Sequence, residues 1–260
     1  MRKTFIYVLW ALLLLSMAGV AAVFTAIAKG KIGYVPPVEE LENPNLKFAT
    51  QIISDDGQLL GTWSLSKENR VYVGYEDLSP HLVHALVATE DVRFSEHSGI
   101  DARAFMRAVV KRGILMQKHA GGGSTITQQL VKNMYYDQNK TFARKAAEAW
   151  TALYVERQLS KEEILELYIN TIYFGDGYYG LKEASLGYFG KEPQELTDSE
   201  AILLAGIPNA PSAYAPSRHA DLALQREKQV LAAMVKYGYL EQSETDSLLW
   251  DAAADPVLAR

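Results

Sequence analysis

From Phe5 to Ala28 the chain carries no charged residue. At about 1.5 Å per residue, a helix of this length reaches ~36 Å, enough to cross the hydrocarbon core of a bilayer. Nothing else in the sequence restricts its architecture as much, because a segment so apolar must be buried in lipid or in protein. Ala26-Ile27-Ala28 also fits a signal-peptidase site, so a cleaved signal competes with an uncleaved anchor. The apolar core of a signal usually runs only ~7–15 residues, which favours the anchor. Arg2, Lys3 and the terminal amine precede the segment, while Lys29 and Lys31 follow it. This slight bias places the N-terminus in the cytoplasm and the remainder outside it.

The segment divides the chain. Residues 1–4 form a short cytoplasmic tail, 5–28 the anchor, 29–45 a Pro/Glu linker, 46–250 one domain, and 251–260 a C-terminal tail or the start of a further region. The domain is long enough to bury a sizeable core. A net charge of −5 makes nucleic acid an unsuitable partner. The absence of cysteine fits an oxidising compartment without requiring one. His81, His84, His97, His119 and His219 show no metal-ligand spacing.

The domain reads as mainly α. Residues 48–64 alternate loosely around Asp55-Asp56-Gly57, as in a β-hairpin. Ser79-Pro80 opens a helix with proline at its first position. Ser160-x-x-Glu163 and Thr197-x-x-Glu200 are capping boxes ahead of apolar helical runs. Ile164, Leu165, Tyr168 and Ile172 make one buried stripe, and Ile202, Leu203 and Ile207 begin another.

Residues 120–133, Ala-Gly-Gly-Gly-Ser-Thr-Ile-Thr-Gln-Gln-Leu-Val-Lys-Asn, speak most directly of chemistry. Three glycines allow close backbone approach, and Ser124 or Thr125 can cap the helix that follows. Free N–H groups at such a helix start suit a phosphate. Gln128 and Lys132, one turn apart, can aim donors at the same ligand. A glycine turn before an ordinary polar helix is the plainer alternative. No Gly-Lys-Ser/Thr closes the run, so it is not a nucleotide P-loop.

Two glutamates stand out. Leu82, Leu86 and Glu90 recur every four residues, so Glu90 ends an apolar helical face. Partial desolvation there makes a carboxylate a better proton acceptor; a frayed end turned to solvent is the alternative. Glu148 follows Arg144 by one helical turn, with Lys145 adjacent. They form either a weak surface pair or a site with Arg144 on a phosphate and Glu148 at the reacting centre.

Together these residues resemble the family 51 peptidoglycan glycosyltransferases, the polymerase module of class A penicillin-binding proteins and of monofunctional transglycosylases. Five blocks match in order: Glu90 to Asp101; Gly122 to Asn133; Arg144-Lys145-Ala146-Ala147-Glu148; Tyr168 to Lys191; and Glu200 to Tyr214. The match covers about residues 75–235. Ala184-Ser185 replaces a usual alanine pair, and His219 stands where proline is common.

The resemblance implies a lysozyme-like helical fold with a small β-hairpin. It also implies a lipid II substrate polymerised into β-1,4 glycan with inversion and release of undecaprenyl pyrophosphate. Glu90 matches the general base and Glu148 the second carboxylate, which assists directly or through a divalent cation (Mg or Mn); beyond that cation the resemblance implies no cofactor. Lys132 and Arg144, with Lys145 beside them, match pyrophosphate-binding residues. Asp91, Phe94, His97, Ser124, Thr125, Gln129 and Asn133 match the substrate cleft. The implied partners are lipid II, the growing strand and the bilayer, with cell-wall activators or transpeptidases as further candidates. The implied location is the cytoplasmic membrane, single-pass, with the domain on its outer side.

Other classes fit less well. A lysozyme-like hydrolase has no use for gathered cations, and a dead scaffold has no need of both glutamates. Ser64-Leu65-Ser66-Lys67 matches Ser-x-x-Lys, but the companion transpeptidase motifs are missing. A bifunctional protein would carry its transpeptidase beyond Arg260. Residues 102–120 place Phe105, Val109 and Val110 among Arg103, Arg107 and Lys111. They read as a basic amphipathic segment for a bilayer interface, or as an ordinary core helix.

Overall fold

The computed structural model describes residues 2–31, 33–37, 50–54, 59–63, 71–110, 123–136 and 141–249. The linker residues 38–49, the turn at 55–58, the Ser64–Lys67 motif, residues 111–122 and the tail from 250 lie outside these.

A long helix α1 (Arg2–Ala28) leads the chain. Strands β1 (Thr50–Ile53) and β2 (Leu59–Trp63) pair antiparallel, as the alternation around residues 48–64 predicts. Among the described residues nine α-helices follow: α2 (Pro80–Glu90), α3 (Ala102–Ala108), α4 (Ile126–Tyr135), α5 (Phe142–Gln158), α6 (Lys161–Thr171), α7 (Leu181–Phe189), α8 (Asp198–Gly206), α9 (Pro211–Tyr214) and α10 (Ala220–Lys236). The expected mainly α class, with a small hairpin and one apolar N-terminal helix, holds.

Local chemistry sets the helix starts. Ser79 caps α2 and Pro80 occupies its first turn. Thr125, Ser160 and Thr197 each close a reciprocal capping box, with Gln128, Glu163 and Glu200. The apolar stripes then meet in one core. Helix α2 packs on α8 and α10, and α4 packs on α5 and α6. Leu82, Leu86, Ile126, Ile164, Tyr168, Ile202 and Val230 are buried at this junction.

Helix α1 is long and apolar enough to cross a membrane. Most of its large side chains are exposed, including Leu15 at 71%, yet its C-terminal end packs on α5. The Phe24 and Trp150 rings lie 5.7 Å apart, and Ile27 is buried. Just beyond, Gly33 turns at φ +70°, where a Cβ would come within 3.1 Å of the Ala147 Cβ. A larger residue there would be strained by both backbone and contact.

Candidate active site

Glu90 is the last residue of α2 and is nearly buried, at 9% side-chain exposure. It does not turn to solvent. Gln129 Nε2 on α4 donates to Glu90 Oε2 at 2.9 Å. Gln129 Oε1 in turn accepts from the Tyr168 hydroxyl at 3.3 Å. Burial, then the charges of Glu90 and Asp91, raise the Tyr168 pKa well above its ordinary value. The phenol therefore stays a donor and fixes which way the Gln129 amide faces. Arg226 Nη2 on α10 lies 3.8 Å from Glu90 Oε1, an ion pair by charge without a hydrogen bond. Glu90 Oε1 has no hydrogen-bond partner among the described residues. A buried carboxylate oxygen held in place with its lone pairs unspent is suited to accept a proton.

The second cluster lies on α5. Glu148 is fully buried, with Arg144 Nη1 2.6 Å from Oε1 and Lys145 Nζ 2.9 Å from Oε2. Burial excludes the surface-pair alternative. Lys145 also donates to Ser124 Oγ at 2.9 Å. Lys132 connects the two clusters. Its ammonium interacts with the charges of Glu148, Lys145, Arg144 and Glu90, and desolvation foremost lowers its pKa.

The structure separates the predicted site residues into two groups. Glu90, Gln129, Lys132, Arg144, Lys145, Glu148 and Ser124 are linked by the contacts above. Asp91, His97 and Thr125 instead bond to one another's segments. His97 Nε2 meets Asp91 Oδ2 at 2.9 Å, Asp91 Oδ2 accepts from the Ile126 N–H, and Thr125 Oγ1 donates to the Gly99 carbonyl. Phe94 is a buried core ring beneath the Lys161 ammonium. These residues brace the site from behind. Asn133 is exposed on α4, and no contact ties it to either cluster.

Two expectations need correction. The start of α4 is largely closed to a phosphate. The Ile126 N–H is taken by Asp91 and the Gln128 N–H by the Thr125 side chain, and Thr125 to Thr127 are buried. Gln128 does not join Lys132 as a matched pair of donors either. It is buried, and its Oε1 closes the capping box on the Thr125 N–H. Among the described residues no group of three or more His, Asp or Glu converges, and both Glu148 oxygens already face cations.

Arg226 was missed. Its neighbours Gln225, Glu227 and Lys228 make it read as part of a solvated helix face. The available signal was its spacing, three residues after Ala223 and four before Val230, both buried. A cation on an apolar stripe has the same signature that singled out Glu90.

A nearly buried carboxylate beside a cation cluster, carried mainly on helices, suits a group-transfer enzyme. Comparison with known proteins agrees: the Transglycosylase family model matches residues 56–235. The chain belongs to that family. It is 39% identical over 232 residues to penicillin-binding protein 1A of Aquifex aeolicus, covering 85% of this chain and 31% of the relative. It is 43% identical over 199 residues to penicillin-binding protein 1F of Bacillus subtilis, covering 76% and 28%. A crystal structure of penicillin-binding protein 1A from Haemophilus influenzae aligns at 26% identity and a TM-score of 0.44, covering 80% of this chain and 21% of that one. The chain thus spans between a quarter and a third of the length of the curated relatives above.

Proposed function

We propose that this chain polymerises lipid II into β-1,4 glycan by inverting displacement. One observation carries the reading: Glu90 Oε1 is buried and without a hydrogen bond among the described residues, and both Glu90 and the Arg144–Lys145–Glu148 cluster act electrostatically on Lys132. The acceptor sugar's 4-hydroxyl gives its proton to Glu90 Oε1. Its oxygen forms the new bond to the donor's anomeric carbon, whose bond to the pyrophosphate oxygen breaks. The electron pair leaves with undecaprenyl pyrophosphate, and Lys132, Arg144 and Lys145 stabilise the charge it gains. Attack opposite the leaving group converts an α donor to a β product.

In this scheme Glu148 acts through the cations it holds, and Gln129 and Arg226 orient the base. No step is routed through a metal. The helix α1 anchors the domain in the cytoplasmic membrane with the site on its outer side, where lipid-linked precursors are used. The test is polymerisation of labelled lipid II by the detergent-solubilised chain. Wild type is expected to make glycan strands, and Glu90→Gln to lose about 10²–10⁴-fold, the worth of a general base. Strands from Glu90→Gln at the wild-type rate would assign the base elsewhere.

A further inference from the structure

We propose that the apolar groove between α1 and the catalytic domain holds the polyisoprenyl chain of the donor, making the anchor helix one wall of the substrate site. The proposal rests on the glycosyltransferase reading above and goes beyond it by assigning the hydrocarbon a place.

The groove encloses about 830 Å³. Gly19, Val20 and Phe24 of α1 form one wall, and Phe105, Ala108 and Val109 from α3 and the residue after it form the facing one. Ala146 and Ala149 of α5 form the floor. A sugar or peptide would find few partners on such walls and would lose its hydration. A hydrocarbon loses nothing there.

The polarity of the groove is lopsided, and this selects the occupant. Among the described residues its one charged lining residue is Lys145, with Ser16, Ser124 and Gln128 as the polar ones. Lys145 is the cation bonded to both Ser124 Oγ and Glu148 Oε2, so the groove runs directly into the leaving-group cluster. A ligand that fills both has a diphosphate head and a long apolar tail. The donor places its pyrophosphate at these cations, whereas the acceptor is met by Glu90. The chain in the groove is therefore the donor's.

Two glycines support the assignment. At Gly123 a Cβ would lie 3.0 Å from the Ala108 Cβ, so glycine lets the segment bearing Ser124 lie against the groove wall. At Gly19 a Cβ would meet nothing within 4 Å. Gly19 lines the groove, so a side chain there has room to enter it.

The test uses the full chain in detergent and lipid II analogues with the same headgroup and either a 55-carbon or a 10-carbon chain. Gly19→Trp fills the groove, and Leu15→Trp, on an exposed part of α1, is the control. The expected result is a tenfold or greater fall in kcat/KM for the long-chain substrate with Gly19→Trp, little change for the short one, and no change with Leu15→Trp. Equal losses on both substrates, or no loss on either, would overturn the proposal. A second arm needs no turnover: wild type is photo-crosslinked with undecaprenyl pyrophosphate bearing a diazirine in its chain. Labelling is expected within residues 16–24 and at Phe105, competed by unlabelled undecaprenyl pyrophosphate but not by excess phosphatidylglycerol. Labelling elsewhere, or equal competition by the phospholipid, would show that the groove holds ordinary bilayer lipid or nothing specific. A wild type that crosslinks there yet polymerises neither analogue refutes the glycosyltransferase reading. Polymerisation without groove labelling refutes only the groove.

Discussion

Glu148→Gln probes the cation cluster directly. The substitution keeps the side chain's shape and removes the carboxylate that Arg144 and Lys145 share. Lys145 is 48% exposed, so solvent screens most of its share. The Arg144 pair is different: Glu148 is fully buried and Arg144 is 16% exposed. Breaking a buried pair by removing one partner costs about 3–5 kcal/mol. At about 2–4 °C per kcal/mol for a domain of this size, the melting temperature should fall by roughly 6–20 °C. Lys132, Arg144 and Lys145 would then repel one another without the Glu148 charge among them. An added anion should restore much of the loss, since a ligand at 100 times its Kd stabilises by about 2.7 kcal/mol. Thermal unfolding in detergent, with and without inorganic pyrophosphate, measures both effects. We expect a lower baseline and a larger pyrophosphate-induced rise in the variant than in wild type, with polymerisation strongly reduced. A variant that melts within a degree or two of wild type, with an equal response to pyrophosphate, would show that Glu148 does not hold this cluster together.

Arg226→Met removes the cation 3.8 Å from Glu90 and should lower kcat by about 10–100-fold, or ~1.4–2.7 kcal/mol. That is a fraction of the ~4 kcal/mol such a charge pair has at an effective dielectric of 20. KM should move less, Arg226→Lys should recover part of the rate, and steady-state kinetics would read both. Burial depresses the Lys132 pKa below its ordinary 10.5, so the unfolded chain binds the extra proton between the two values. Its contribution to stability is complete above 10.5 and is lost as pH falls through the folded value. Lys132→Met should therefore be more stable than wild type at neutral pH, with a flatter alkaline rise in urea titrations, while losing activity. Thr125→Ala removes both the α4 cap and the bond to the Gly99 carbonyl. It should cost about 1–2 kcal/mol in chemical denaturation.

What the sequence discloses follows from how local each feature is. The capping boxes at Ser160 and Thr197 span four residues, so residue type and spacing determine them. The same holds for the stripe that ends in Glu90. Its partners were beyond reach, because Gln129 comes from 39 residues away and Arg226 from the last long helix. Gln128 and Gln129 illustrate the difficulty. Once Thr125 rather than Ser124 is the cap, Gln128 falls at the third helical position and closes the box, which rotates Gln129 toward Glu90. The sequence leaves that choice of cap open. The expectation of an open helix start failed for a related reason. Asp91 reaches it from another element, and only the folded chain shows that a carboxylate has already claimed the first N–H. The exposed Phe105, Met106, Val109 and Val110 favour the interface reading of the basic segment over the core reading, a choice that periodicity alone could not make.

The contact between Phe24 and Trp150 has a consequence for geometry on the membrane scale. Trp150 shares a helix with Arg144, Lys145 and Glu148, so the anchor is not a loose tether. A bilayer gripping α1 would hold those cations at one fixed height, and the anchor would act as a ruler. Each residue added to α1 below Phe24 would shift that height by about 1.5 Å and rotate the lower anchor by about a quarter turn. Length and register of a segment remote from the chemistry would thereby set the depth at which a lipid-borne headgroup is met.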